Sequence, residues 1–273
     1  MKEPPLISVL MGVYYRSQDT SLLERSIRSI LNQSLEHLEL LICDDGSHPK
    51  ASALLEQYAA EDERVRLIRT GSAYALPCKL NLCLRSARGS WIARMDDDDY
   101  SHPQRLEKQL DYLRENQDVA FVGCNVNLSC DGRLVGTRHF PESPAVRDFY
   151  FVQPFIHPAL LFRKEALDAV NGYCEDKRCI LCEDYDLLLR LYGAGYQGAN
   201  LQECLLDYTI PKSAKGKRNM SHRWNEAVTR YRRFGELGLL PQALPYVMKP
   251  LIVGMIPEAL LQKLKNRRDN GGF

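Results

Sequence analysis

The sequence predicts an α/β fold: a mainly parallel sheet flanked by helices, followed by a helical C-terminal segment. Three observations carry that expectation. Short apolar runs rich in β-branched residues alternate with stretches of helical spacing from Ile7 to Leu191. Two of those runs open directly into carboxylate clusters, Asp44-Asp45 and Asp96-Asp97-Asp98-Asp99. Charge is also unevenly placed. The 273 residues balance 36 Lys+Arg against 35 Asp+Glu, yet residues 1–206 carry a net −7 and residues 207–273 a net +8.

The elements follow in order. Residues 7–13, bounded by Pro4-Pro5, read as a buried strand. From Ser21, Leu22, Leu23, Ile27, Ile30 and Leu31 share one helical face, with Glu24, Arg25 and Arg28 opposite. Residues 38–43 form a second strand ending at Asp44-Asp45-Gly46-Ser47, 51–60 a helix, and 65–69 a third strand. Residues 80–87 are helical with Gly89 as C-cap, and 91–95 form a fourth strand running into the four aspartates. A helix at 105–115 follows Pro103, then a strand at 119–126 and a hairpin turn at Asp131-Gly132 leading into 134–136. Residues 159–162 make a short strand, 164–170 a helix ending near Asn171-Gly172, and 183–191 a helix with Leu187, Leu188 and Leu191 inward. In such sheets ligands bind beyond the carboxyl ends of the strands, so both carboxylate clusters are expected on one edge.

Composition excludes several classes. With 45% hydrophobic and 26% charged residues, the chain is neither a disordered tail, a collagen-like repeat nor a multi-span membrane protein. Met1 to Pro5 lacks the make-up of a signal peptide, and the apolar stretch 237–248 is short and broken by Pro241 and Pro245. The expected compartment is the cytosol. Nine cysteines are then expected as reduced, packed thiols. Cys174, Cys179, Cys182 and Cys204 loosely match an iron–sulfur spacing, but buried or surface thiols are the expected reading.

Three constellations carry chemistry. Four adjacent aspartates at the mouth of a strand repel one another, which suits a hard divalent cation, Mg²⁺ or Mn²⁺, that would also hold substrate phosphates. The chain has neither a P-loop nor G-x-G-x-x-G to cradle phosphate with backbone. Asp44-Asp45-Gly46-Ser47 reads either as a turn or as a pair of acceptors for the polar groups of a nucleoside. Glu183-Asp184 reads either as first-turn carboxylates favoured by the helix dipole or as a base placed to take a hydroxyl proton.

From Ile7 to Tyr208 the chain resembles the family 2 glycosyltransferases with the GT-A fold, a Rossmann-like mixed sheet. The matching pieces stand in the family's order: residues 7–15, Cys43 to Ser47, Leu76 to Asn81, Ile92 to Asp99, His157-Pro158 with Phe162-Arg163, Gly172-Tyr173, and Glu183 to Leu187. Within the family it looks like bacterial enzymes building capsule, O-antigen or exopolysaccharide. The resemblance implies that Val13 and Tyr14 border the base of a nucleotide sugar and that Asp44 binds its uracil. Asp45, Lys79 and Asp97 fall with them on the donor side. Asp96 and Asp98 match the D-x-D motif, Asp98 as metal ligand and Asp96 as a ligand nearer the ribose. Asp184 matches the catalytic base, with Glu183 its neighbour by the acceptor. Tyr15, Asp97 and Asn171 depart from residues the family commonly has, and Asp97 leaves open which carboxylates meet the metal.

The resemblance therefore implies a metal-dependent inverting transfer of a hexose from UDP-galactose or UDP-glucose to a lipid-diphosphate-linked saccharide. A nucleotidyltransferase would normally show a glycine-rich phosphate loop, and a non-catalytic relative would not need Asp98 and Asp184. The expected layout is a catalytic domain over residues 1–208 and a basic helical segment over 209–273. Lys212 to Arg218 would form a phosphate lid. An amphipathic helix bearing Ile256, Leu260, Leu261 and Leu264 with Lys263, Lys265, Arg267 and Arg268 would lie on the cytoplasmic face of the inner membrane, unless the segment is simply solvated. Nucleic acid is not an expected partner, because the acidic body lacks aromatic–basic interleaving.

Overall fold

The computed structural model describes residues 5–71, 74–210 and 220–256. The first half alternates as expected: β1 (Ile7–Val13), α1 (Ser21–Leu31), β2 (Leu38–Asp44), α2 (Pro49–Glu61), β3 (Val65–Arg69), α3 (Leu76–Ser86) and β4 (Trp91–Arg94). β1 lies between β2 and β4 and parallel to both, and β3 extends the sheet beyond β2. The register sets Val13 beside Asp44 and Leu10 beside Arg94, so these strands release their loops at one edge. That edge is where ligands gather in such sheets.

The second half adds antiparallel strands. β5 (Tyr100–Ser101), α4 (Arg105–Glu115), β6 (Val119–Cys130), β7 (Arg133–Arg138), β8 (Leu161–Arg163), α5 (Lys164–Ala169), α6 (Glu183–Gly193) and β9 (Gln197–Thr209) follow in turn. The sheet runs β3-β2-β1-β4-β8-β6-β9-β5, with β7 paired to β6. β8 is antiparallel to β4 and β6, whereas β9 runs parallel to β6. Asp131 and Gly132 both have positive φ, 52° and 71°, as the expected hairpin turn requires. The strand expected at 159–162 begins two residues later, because His157–Ala159 forms a 3₁₀ turn around Pro158. Residues 197–209 give no strand signal. Their ladder to β6 shifts register at Cys124/Asn125 and Asn125/Val126, which breaks the period-2 pattern that would announce a strand.

Alternation along the central strands feeds two cores. Val9, Met11, Leu40 and Ile42 pack on one face under Ile27 of α1, Leu55 of α2 and Leu110 of α4. Leu10, Leu41, Ile92 and Phe121 pack on the other, against Leu80 of α3, Leu167 of α5 and Leu188 of α6. Two further helices, α7 (Met220–Glu236) and α8 (Leu244–Met255), join this second layer through Phe234 and Val247. Arg230 and Arg233, which the sequence suggests as part of a basic surface, are buried instead, at 3% and 6% exposure. Lys212 to Arg218 and Leu260 to Arg268 lie outside the described residues. Among the described residues no helix is long and apolar enough to cross a membrane.

Gly198 of β9 lies flat against Phe121, where a Cβ would fall 2.2 Å from the ring. Gly198→Ala is expected to lower unfolding stability by about 1–3 kcal/mol, read from the urea midpoint at unchanged slope.

Candidate active site

The site begins where β1 and β2 end. The Val13 carbonyl accepts from Lys79 Nζ at 3.1 Å and from the Asp45 N–H at 3.2 Å. Lys79 is buried, and desolvation lowers its pKa against the pull of Asp45 and Asp97. The next residue, Tyr14, is 45% exposed, its ring flanked by the Arg16 guanidinium at 4.7 Å and the Lys79 ammonium at 5.7 Å. This is an aromatic face with cations beside it, open to a planar partner.

Asp44 and Asp45 are both buried and both hold backbone. Asp44 Oδ1 accepts from the Ser47 N–H at 3.1 Å, and Oδ2 accepts from Ser52 Oγ at 3.0 Å and faces Arg69 at 3.5 Å. Asp45 Oδ1 accepts from Thr70 Oγ1 at 2.9 Å, and Oδ2 from the Tyr74 N–H. These contacts fix the turn at Gly46, whose φ of +76° suits glycine.

β4 delivers the four aspartates, and α1 and β9 hold them together with Arg94 of β4 itself. Arg94 is fully buried and reaches forward to the Asp96 carboxylate and the Met95 carbonyl. From α1, Ser26 Oγ donates to the Asp96 carbonyl at 2.6 Å and Arg25 to the Asp98 carbonyl at 3.0 Å. At the end of β9, Thr209 donates its N–H to Asp99 Oδ1 at 2.8 Å and its hydroxyl to the Asp98 carbonyl at 2.6 Å. Buried Arg105 of α4 donates to the Pro158 carbonyl at 2.7 Å.

α6 brings the second carboxylate pair. Cys182 is its N-cap, and Leu181 just before it takes a left-handed φ of +64°, a strained conformation for a branched residue. Asp184 Oδ2 accepts from Gln153 Nε2 at 2.9 Å and Oδ1 from the Tyr185 N–H at 2.8 Å. Two residues on, Asp186 is buried between Arg190 and Arg233, each at 2.7 Å. Tyr185 donates to the Phe149 carbonyl at 2.6 Å and lies under the Arg230 guanidinium at 4.6 Å. The helix start is thus bolted to α7, and Asp186, the third first-turn acid, serves that joint.

A cleft of about 400 Å³ joins the two groups: Asp96 lines it together with Gln153, His157, Glu183, Asp184 and Tyr208. Asp98 lines a neighbouring hollow with Asp19, Arg25 and Thr209. Asp97 is near enough to the loop after β1 that its charge, after burial, raises the pKa of the Tyr15 phenol. Three quoted sequence pieces also meet: Asn81 Oδ1 accepts from the Tyr173 N–H at 2.9 Å, and the Tyr173 hydroxyl meets His157 Nε2 at 2.8 Å.

The electrostatics are those of crowded acids. Burial and then Asp96 push Asp97 up to about 7, Asp98 to about 6 and Asp99 to about 8. Burial and then Asp184 raise Glu183 to about 7. Asp99 Oδ2 and Glu183 Oε2 are buried without a hydrogen-bond partner among the described residues. Hard oxygen donors crowded at one loop are of the type that suits a divalent cation such as Mg²⁺ or Mn²⁺, but among the described residues no three of these carboxylates bring their oxygens together as a ready-made ligand set. The cysteines fit a cation poorly. Cys174 and Cys179 lie 3.0 Å apart beside Asp186, but both Asp186 oxygens already bind arginines. Arg25, Ser26, Gln153 and Thr209 serve the site without any sequence signal, since each contacts it across more than 30 residues of chain.

Known proteins resemble this chain in sequence and in fold. The Glycosyl transferase family 2 profile matches residues 8–170. EpsE of Bacillus subtilis (strain 168), named as a glycosyltransferase, is 34% identical over 269 residues, covering 98% of this chain and 96% of that protein. The O-antigen biosynthesis glycosyltransferase WbnJ of Escherichia coli is 34% identical over 222 residues, 80% of this chain and 84% of that one. Among solved structures, Staphylococcus aureus TarS 1–349 in complex with UDP-GlcNAc matches with TM-score 0.69 at 15% identity, over 89% of this chain and 72% of that one. The mannosyltransferase PcManGT from Pyrobaculum calidifontis, in complex with GDP-Man and Mn²⁺, matches with TM-score 0.58 at 18% identity, over 97% and 80%. The two structural matches speak to the fold.

Raised carboxyl pKa values mean that the folded protein binds these protons more tightly than the unfolded chain, so their contribution is lost as pH rises through the folded values. His157 is held neutral by burial, and its opposing effect is confined to pH values below about 6.5. Without added metal, the melting temperature is expected to fall between about pH 6.5 and 8, and Mn²⁺ or Mg²⁺ is expected to flatten the fall. Scanning calorimetry across that window, with EDTA and with Mn²⁺, reads both effects.

Proposed function

The chain belongs to glycosyl transferase family 2 with the GT-A fold, and from that premise we propose that its cleft moves a hexose from a nucleotide sugar to a saccharide hydroxyl with inversion at the anomeric carbon. The observation that carries the reading is the single cleft lined by Asp96 at the end of β4 and by Glu183 and Asp184 at the start of α6. One end belongs to the chain's donor-side strands, and the other presents a carboxylate base.

The donor is a UDP-linked hexose, galactose or glucose, set along the β1 and β2 edge. Tyr14 offers its face to the base beside Val13 and Lys79, and Asp44 and Asp45 order the turn beneath it. Asp96 and Asp97 border the ribose and phosphates. A Mn²⁺ or Mg²⁺ ion held by Asp98 and Asp96 would supply charge compensation for the departing diphosphate. Asp184 takes the proton of the acceptor hydroxyl, whose oxygen forms the new bond to the anomeric carbon as the bond to UDP breaks. Gln153 and the Tyr185 N–H fix the direction of the Asp184 carboxylate, and Glu183 keeps its own proton up to about pH 7 beside it.

The acceptor is a lipid-diphosphate-linked saccharide in bacterial surface-polysaccharide synthesis, and the enzyme works peripherally at the cytoplasmic face of the membrane. The O-antigen relative WbnJ and the net +8 of residues 207–273 support this part of the reading.

Asp184→Asn is expected to lower kcat by about 10²- to 10⁴-fold while the circular dichroism spectrum and donor binding stay as they are. The measurement is a screen of UDP-sugars with Mn²⁺ and a synthetic lipid-diphosphate sugar; near-normal turnover by Asp184→Asn overturns the base assignment. Asp98→Ala is expected to abolish transfer in the same assay, with the fold retained.

A further inference from the structure

We propose that Cys174 and Cys179 form a reversible disulfide, a redox brace on the loop that leads into α6. Neither cysteine lines the cleft, and oxidation of the pair does not depend on the proposed function.

All nine cysteines are free thiols, and this pair combines contact with access. Asp176 caps the 3₁₀ turn Lys177–Cys179 and accepts from the Arg178 N–H at 2.9 Å. The turn folds the chain back, so that Cys179 Sγ donates to Cys174 Sγ at 3.0 Å. About 1 Å of further approach gives a bond of ordinary disulfide length. Cys174 is half-buried and Cys179 is 4% exposed, so an oxidant meets Cys174 first. Burial, then the contact with Cys174 and the charge of Asp186, push the Cys179 pKa up, which leaves Cys174 as the attacking sulfur. Asp176 and, more weakly, both sulfurs raise the pKa of the Arg178 guanidinium, which puts a cation beside the pair, as reactive thiols require. Cys43 and Cys83 also share a hydrogen bond, but both are at 0% exposure between β2 and α3, out of reach of an oxidant.

The chemistry is exchange with a small disulfide such as glutathione disulfide. The Cys174 thiolate attacks one of its sulfurs, the S–S bond breaks and the other half leaves as a thiolate. Cys179 then gives its proton to solvent and attacks Cys174 Sγ, which releases the second small thiolate. Two electrons pass from the protein sulfurs to the small disulfide, and the two protons the protein loses end on the two small thiols. A reducing dithiol reverses the sequence.

The bond falls where the loop is held least firmly. Before it, Tyr173 is anchored by Asn81 and His157, and Glu175 accepts from Asn81 Nδ2 at 2.8 Å. After it, the Cys179 carbonyl accepts from the Cys182 N–H at 2.9 Å, and Cys182 is the N-cap of the helix that bears Glu183 and Asp184. Between these anchors α7 reaches the turn by long hydrogen bonds, Asn225 to the Lys177 carbonyl at 3.4 Å and Thr229 to the Arg178 carbonyl at 3.5 Å. Because the two sulfurs already touch, the cross-link holds the start of α6 where it stands.

The test incubates the full chain with glutathione disulfide without denaturant, blocks remaining thiols with iodoacetamide under denaturant, and digests with trypsin. Lys177 and Arg178 lie between the two cysteines, so cleavage there parts Cys174 from Cys179 unless a disulfide joins them. Mass spectrometry is expected to find the two peptides joined, but not after dithiothreitol and not in C179S. They are expected to stay joined in C182S, which removes the other cysteine of the Cys179 peptide. The oxidised wild type is expected to melt about 3–6 °C above the reduced protein, a rise that C174S lacks while its reduced form keeps the wild-type circular dichroism. Separate peptides in the wild type, joining that persists in C179S, or joining lost in C182S overturns the proposal. Equal melting temperatures of oxidised and reduced wild type overturn the brace. Neither readout involves turnover, so failure here leaves the proposed function untouched, and a chain that cross-links yet transfers no sugar overturns only that function.

Discussion

Carboxylates repel, and this molecule gathers at least six of them around one edge of its sheet. Everything near that edge can be understood as a means of keeping them there. Arg94 lies wholly buried beneath the acidic loop, Arg25 and Ser26 hold its backbone from α1, and Thr209 holds it from the last strand. Two arginines, two hydroxyls and the Thr209 N–H fix the loop's path, while the side-chain charges stay only partly compensated. That uncompensated negative charge is the property a divalent cation would exploit in the proposed reaction.

The first half of the fold was open to reading because each element there is locally consistent. β1, β2 and β4 are mostly apolar and buried almost throughout, as parallel strands covered on both faces are, and helices separate the strands along the chain. The carboxylate clusters were open to reading for the same reason: each closes a strand, and the topology puts strand ends together. The second half resisted. β9 pairs with β6 across register shifts, and β5 is two residues long. Gln153 reaches Asp184 from a loop with no regular pattern, and its role exists only once the chain has folded. The basic stretch misled for a related reason. A run of arginines on a sequence looks like a surface, but Arg230 and Arg233 find buried partners in Tyr185, two backbone carbonyls and Asp186.

The charge asymmetry along the chain becomes a division of labour in space. The acidic body carries the donor-side aspartates at the strand ends. The basic segment contributes two arginines to the inside of the molecule and leaves an apolar helix face outside, next to the cleft rim. A net charge near zero conceals this arrangement entirely.

The joint between Asp186 and Arg233 carries an implication for how such enzymes diversify. The helix that presents Glu183 and Asp184 is fastened through this buried ion pair to α7, in the C-terminal segment. An exchange of C-terminal segments between relatives would therefore also replace one of the fasteners of the helix that carries Glu183 and Asp184. A buried carboxylate that loses a cationic partner leaves its helix poorly anchored. Chimeras will recombine cleanly only if the exchanged piece begins after Arg233, or if Asp186 and its arginine travel together as one heritable unit.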